Sequence, residues 1–208
     1  MFELDVKPGH DEAASRLEYE MFLRSGYVEA NDERRVLCYD RYPRSVFICA
    51  SDASGDLRGT MRLIHATSTS WSETHFPTLD DFAVDEHWLE RIHSLPAREL
   101  VEVASMAVRP GTSRRCGREI IRQSMRYIWS RNIWFALSSV DSSYLRELRR
   151  RRLPFSQIGA EKLYMGSMTV PTFFDSLRLP LRYQPVVRLA WAWHAARARV
   201  ARLASWLS

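Results

Sequence analysis

Between residues 11 and 25 the chain reads DEAASRLEYEMFLRS. Leu17, Met21 and Phe22 recur there at helical spacing, and Gly26 follows as a stop, which predicts an amphipathic helix. SVFICAS (45–51) is a short apolar run of strand type. DASGD places a glycine where a hairpin turns, and LRGTMRLIHA (57–66) alternates as the partner strand. Residues 67–98 are less regular: a Ser/Thr-rich loop with Trp71, Phe76 and Pro77, then a short helix around DEHWLERIH. LVEVASMAV (100–108) reads as a buried strand, 117–131 as a helix, 133–140 as a strand and SSYLRELRRRR as a further helix. EKLYMGSMTV (161–170) reads as the last strand. A hairpin followed by strand–helix–strand–helix–strand predicts an α/β (α+β) layer, with helices packed on a central, mostly antiparallel, twisted sheet. There is no repeat and no interdomain linker.

The C-terminal stretch YQPVVRLAWAWHAARARVARLASWLS (183–208) follows another pattern. At 100° per residue Leu189, Trp193, Val200, Leu203 and Leu207 share one side, and Arg188, Arg199 and Arg202 the other. This predicts a basic amphipathic helix, 183–208, appended to a domain spanning 1–182. Two readings stand open for it: docking on its own domain or a second copy, or lying on an anionic membrane surface.

Composition narrows the class. The 208 residues are 46% hydrophobic and 26% charged, the balance of a folded chain with a sizeable core. No run reaches about 18 uninterrupted apolar residues, so no membrane-spanning segment is expected. The opening MFELDVKPGHDEA is acidic and polar, unlike a secretion signal. Cys38, Cys49 and Cys116 are scattered, which fits a reducing, cytoplasmic setting better than a disulfide framework. The net charge is +5, and lysine appears only at Lys7 and Lys162, so the excess is arginine. Codon bias in a GC-rich genome accounts for that; so does a surface for acidic partners, since guanidinium binds carboxylate and phosphate bidentately. LRELRRRR (145–152) has no interleaved aromatics and matches no nucleic-acid motif, so nucleic acid is not an expected partner. The histidines show no metal spacing, and no G-x-S-x-G or Cys–His pattern suggests a covalent route.

The informative stretch is LVEVASMAVRPGTSRRCGREII (100–121). A strand, a basic glycine-containing turn and a helix start form a phosphate-binding arrangement. The same strand carries a carboxylate, Glu102, among apolar neighbours. Val101, Val103 and Ala104 are expected to raise its pKa into the range of a useful base; the alternative is a strand-edge glutamate paired with an arginine. Arg62, in an apolar strand, needs a partner, which could be Glu102, Asp40 or a substrate carboxylate.

RLEYEMFLRSGY (16–27), YDRY (39–42), GDLRGTMRLI (55–64), EVASMAVRP (102–110) and LYMGSMTVP (163–171), in this order, resemble the GNAT acyltransferases. Within them the chain looks most like the long-chain N-acyl amino acid synthases and their relatives, the LuxI-type acyl-homoserine lactone synthases. The resemblance implies a GNAT-like fold and transfer of a long-chain acyl group to the amine of an amino acid. The co-substrate would be the acyl-phosphopantetheine of an acyl-carrier protein, or acyl-CoA, with no bound cofactor and no metal. It implies catalytic roles for Glu102 as base, Arg62 and Ser105, although Ser105 reads equally as a small packing residue. Backbone amides at Met106, Ala107 and Val108 would hold the pantetheine and polarise the carbonyl. Arg109, Arg114, Arg115 and Gly117 would hold its phosphate, and Tyr19, Phe22, Tyr27 and Asp40 would line the substrate site. The turn departs from the family's R/Q-x-x-G-x-G/A loop: Arg115 stands at the first glycine, which favours a carrier protein over CoA. Leu37 stands where the lactone synthases carry an acid, which disfavours a homoserine-lactone product. Three alternatives complete the range: a lactone synthase, a CoA-dependent acetyltransferase, and a non-enzymatic basic protein.

Overall fold

The computed structural model describes residues 2–180 and Leu189. The amphipathic stretch 183–208 thus lies outside the described residues, apart from Leu189.

The chain runs β1 (Glu3–Pro8), α1 (Glu12–Arg24), β2 (Ser45–Ser51), β3 (Leu57–His65), α2 (Pro77–Asp81) and α3 (Glu86–His93). It continues with β4 (Leu100–Val108), α4 (Arg115–Ser130), β5 (Phe135–Asp141), α5 (Ser142–Arg150), β6 (Phe155–Gln157), β7 (Lys162–Tyr164) and β8 (Ser167–Asp175). One sheet orders these strands β1-β2-β3-β4-β5-β8-β6, with β7 also paired to β8. Every pairing is antiparallel except β4 with β5. The mostly antiparallel α/β layer expected from the sequence is therefore what forms.

Each helix packs the stripe its sequence provides. On one face α4 sets Cys116, Ile120, Tyr127 and Ile128 against Ile48, Met61, Leu63 and Val101 of the sheet. On the other, Tyr19 and Phe22 of α1, Phe76 before α2 and Ile92 of α3 meet Ile64, Leu100, Leu137 and Phe173. Asp11 caps α1 by accepting from the Ala14 amide, and Asp141 caps α5 by accepting from the Ser143 and Tyr144 amides.

Four elements differ from the pattern-based reading, two of them being α2 (Pro77–Asp81), which forms in the stretch read as a loop, and β6 (Phe155–Gln157), where no element is expected. Residues 161–170 are not one strand. Met165 and Gly166 both take positive φ (46° and 77°) and fold the segment into the β7–β8 hairpin. Two successive left-handed residues make the tight turn whose twist matches paired strands. β1 is not expected from the sequence, because its residues are mostly polar and exposed; it is an edge strand paired to β2, with Leu4 packed against the core.

Candidate active site

The sheet opens next to Glu102. β4 pairs with β5 only over Leu100–Glu102, opposite Phe135–Leu137. β5 continues with β8 as far as Asp141, while β4 stays with β3 as far as Val108. From Val103 onward β4 therefore has, among the described residues, a strand on one side only, and alternate amides along this edge point into the opening. Met106, Ala107 and Val108 lie on this stretch, so their backbone stands where an extended thioester arm could add as a strand.

A bulge sits at the point of divergence. Leu63 pairs with Val103 and Arg62 with Ser105, so Ala104 has no partner across the ladder. The Tyr39 hydroxyl donates to the Ala104 carbonyl at 2.8 Å. A bulge of this kind re-aims the side chains that follow it. Met106 accordingly lies against the start of α4, where a Cβ on Gly117 would stand 3.3 Å from the Met106 methyl.

Glu102 is 1% exposed. Both carboxylate oxygens accept from the Thr78 amide at 3.0 Å, and Oε1 also accepts from the Thr78 hydroxyl at 2.7 Å. The Thr78 hydroxyl stands 2.9 Å from that of Ser139 on β5. Burial pushes the Glu102 carboxyl up to about 8; the Thr78 bonds pull it down, and the charges of Asp80 and Asp81 add to the rise. The raised pKa expected from the strand's apolar neighbours is present. The alternative pairing with an arginine is not, because the partner is a threonine.

Arg62 is the counterpart correction. Its partner is neither Glu102 nor Asp40 but Glu18 of α1, itself 0% exposed. Nη2 meets Glu18 Oε2 at 2.7 Å and Nε meets Oε1 at 3.0 Å. Nη1 donates to the Gly9 carbonyl and the Ser45 hydroxyl at 3.0 and 3.1 Å, and the guanidinium stacks over Phe47. Ser105 donates its hydroxyl to Glu18 Oε1 as well. Arg62 and Ser105 thus fasten α1 to β3 and β4, and Arg62, 5% exposed, turns its guanidinium to these partners.

The remaining expected residues divide. Tyr19, Phe22 and Tyr27 share the apolar cluster on the Glu102 face with Tyr39, Phe76 and Ala104. The Tyr19 hydroxyl holds the Asn31 amide at 2.9 Å, and the Tyr27 ring meets Phe22 edge-on. Asp40 does not join them: it is exposed and paired with Arg35 at 2.9 Å. Arg109 turns toward α1, donating to Glu20 and to the Leu57 carbonyl. Arg114 and Arg115 stand exposed at the start of α4, with Arg115 3.5 Å from Glu119.

Sequence reasoning missed the residues around the mouth. Asp80 accepts from Tyr42 at 3.0 Å, and Asp81 accepts from Tyr164 at 2.8 Å and pairs with Arg41 at 3.2 Å. These bonds tie the turn at 37–41 and the β7–β8 hairpin to α2, and so hold Thr78 against Glu102. Among the described residues no group of His, Cys, Asp and Glu side chains stands close enough to hold a metal ion. A cavity of about 670 Å³ lined by Arg44, His65, Arg98, Tyr127 and Arg131 opens elsewhere and does not include Glu102.

This fold recurs in solved acyltransferases. FeeM, an N-acyl amino acid synthase from uncultured soil microbes, aligns with a TM-score of 0.60 at 15% identity, over 86% of this chain and 94% of that one. BjaI, a CoA-dependent acyl-homoserine lactone synthase solved with SAM and isopentyl-CoA, gives 0.63 at 14% over 90% and 88%. A putative N-acetyltransferase from Lactobacillus plantarum gives 0.56 at 9% over 85% and 99%. No curated protein matches the sequence. The architecture is thus that of the GNAT-like acyltransferases. The family model for N-acyl amino acid synthase FeeM matches residues 13–174, and the chain belongs to that family. It is an acyltransferase that moves an acyl group to an amine.

Proposed function

We propose that the protein transfers a long-chain acyl group from the phosphopantetheine thioester of an acyl-carrier protein to the amine of an amino acid, with Glu102 as the base. The observation that carries this reading is the buried Glu102 carboxylate at the point where β4 leaves β5. The thioester arm lies along the free edge of β4. The Met106 and Val108 amides, on the open side of β4, polarise the carbonyl, and the start of α4 with Arg114 and Arg115 takes the phosphate. The amine attacks, a C–N bond forms and the C–S bond breaks. Glu102 takes the amine proton, and the pantetheine sulfur leaves as thiolate. A carrier protein is favoured over CoA by the arginine surplus, including Arg149 to Arg152 at the end of α5, which suits an acidic partner. A single-chain N-acyl product is amphiphilic, and the basic, tryptophan-bearing stretch 183–208 suits delivery to an anionic membrane surface on the cytoplasmic side.

The test is a side-by-side assay of dodecanoyl-carrier protein and dodecanoyl-CoA with a pool of amino acids and SAM, products read by mass spectrometry. N-dodecanoyl amino acids made faster from the carrier protein support the reading. A lactone product, or dodecanoyl-CoA as the better donor, overturns it. Replacing Arg149–Arg152 by alanine should raise KM for the carrier protein about tenfold with kcat little changed. Truncation after residue 182 should abolish sedimentation with anionic vesicles and spare turnover.

A further inference from the structure

Thr78 is fully buried, and its hydroxyl bridges the two walls of the opened sheet. It bonds Glu102 of β4 at 2.7 Å and Ser139 of β5 at 2.9 Å. Ser139 lies beyond Leu137, the last β5 residue paired with β4, and is half-buried rather than sealed. A buried base that takes a proton in every turnover must also lose it, and with the substrates in front of it a side chain 1% exposed needs a path to water through its own hydrogen-bond partners.

Counting hydrogens fixes the direction of the bonds. Each hydroxyl has one hydrogen, and an ionised carboxylate only accepts. With Glu102 ionised, Thr78 therefore donates to Glu102, and Ser139 donates to Thr78. With Glu102 protonated on Oε1, the chain can run the other way: Glu102 donates to Thr78, Thr78 to Ser139, and Ser139 outward. Between the two states each oxygen passes on one hydrogen and receives one.

We propose that Thr78 and Ser139 form the route by which Glu102 releases the proton it takes from the amine. This rests on Glu102 being the base. The steps balance without a further reactant. The N–H bond of the attacking amine breaks as Glu102 O–H forms. That O–H breaks as a new O–H forms on Thr78, whose original hydrogen passes to Ser139. The hydrogen of Ser139 passes to water, and the carboxylate is restored. Thr78 also has a separate positioning role, because its amide holds both carboxylate oxygens whatever the side chain. Thr78→Val keeps that amide and the shape, and removes only the hydroxyl.

The experiment measures kcat of the full chain with dodecanoyl-carrier protein and the preferred amino acid, in dilute and in concentrated imidazole. Ser139→Ala should lower kcat about tenfold in dilute buffer, with recovery as imidazole rises and KM unchanged. Thr78→Val should do the same and also move the acid limb of the pH profile upward, since the ionised carboxylate loses a donor. The other groups facing Glu102, which are Asp80, Asp81, Tyr39 and Tyr164, are untouched by either change. Thr78→Ser keeps the hydroxyl and should behave as wild type. Wild-type kcat in Ser139→Ala at every buffer concentration, or a Thr78→Ser as slow as Thr78→Val, overturns the route. Glu102→Gln separates the two ideas: if it is slow while Ser139→Ala is normal, the route fails and the base stands. If Glu102→Gln turns over normally, the base itself fails.

Discussion

Two carboxylates are sealed on the same face of this sheet, and they are held in opposite ways. Glu18 faces a guanidinium and a serine hydroxyl, so its charge is matched at once by Arg62. Among the described residues Glu102 has no cation in hydrogen-bond contact; an amide and a hydroxyl of one threonine hold it, and Asp80 and Asp81 act against its charge. A paired buried acid is committed to its partner and serves architecture. An acid held by neutral donors can exist in both protonation states, which is what proton transfer needs. The two differ by what stands opposite, since both are equally buried.

The largest effect should come from breaking the matched pair. Arg62→Met leaves Glu18 charged among apolar groups, and Glu18→Gln leaves Arg62 in the same position. Each single change should cost about 3–5 kcal/mol of stability. Glu18→Gln combined with Arg62→Met should cost less than the sum of the two. Denaturant unfolding measures all three, and additive losses would mean that the pair is not a unit.

Glu102 should show the reverse profile. Glu102→Gln should lower kcat about 100-fold, or about 2.7 kcal/mol in the barrier, while the protein stays folded. Because burial raises the carboxyl from 4.5 to about 8, the folded chain keeps a proton that the unfolded chain releases within that window. Stability contributed at Glu102 is therefore greatest at low pH and falls as pH rises toward 8. Glu102→Gln removes that slope, so its melting temperature relative to wild type should be more favourable at pH 8 than at pH 5. The activity of wild type should rise with pH through the same window, since only the ionised form accepts a proton. A melting difference that is the same at both pH values would place Glu102 in an environment where its charge carries no penalty.

The contrast also marks what a sequence can disclose. Glu102 was legible because a carboxylate in an apolar strand ahead of a basic turn is locally improbable. Arg62 was legible as a residue needing a partner, but the partner was not, because Glu18 lies 44 positions away on α1. A local trace of Glu18 existed: it sits between Leu17 and Met21 on the stripe that packs inward. Thr78 left no trace. It lies in an irregular stretch whose cues are Trp71, Phe76 and Pro77, and its contact with Glu102 spans 24 residues. The hairpin at Met165–Gly166 has a trace in the glycine, although 161–170 as a whole reads as one strand. Strand existence and face came from local periodicity, whereas the identity of each buried partner was fixed by tertiary packing.

Ser105 gives the smallest effect and the finest test of the comparison. It sits next to the Ala104 bulge, three residues after Glu102, and the family resemblance suggests a catalytic role for it. The structure gives its hydroxyl to Glu18, not to Glu102 or to the open edge of β4. Ser105→Ala removes one donor from a carboxylate that keeps its bidentate bond to Arg62. The cost should therefore be close to that of a single hydrogen bond, about 1 kcal/mol of stability. kcat should stay within about threefold of wild type, because neither Glu102 nor the thioester path loses a contact. A loss of turnover approaching that of Glu102→Gln, with stability unchanged, would move Ser105 from the architectural acid to the catalytic one. The two carboxylates would then share a residue, and the division between them would not hold.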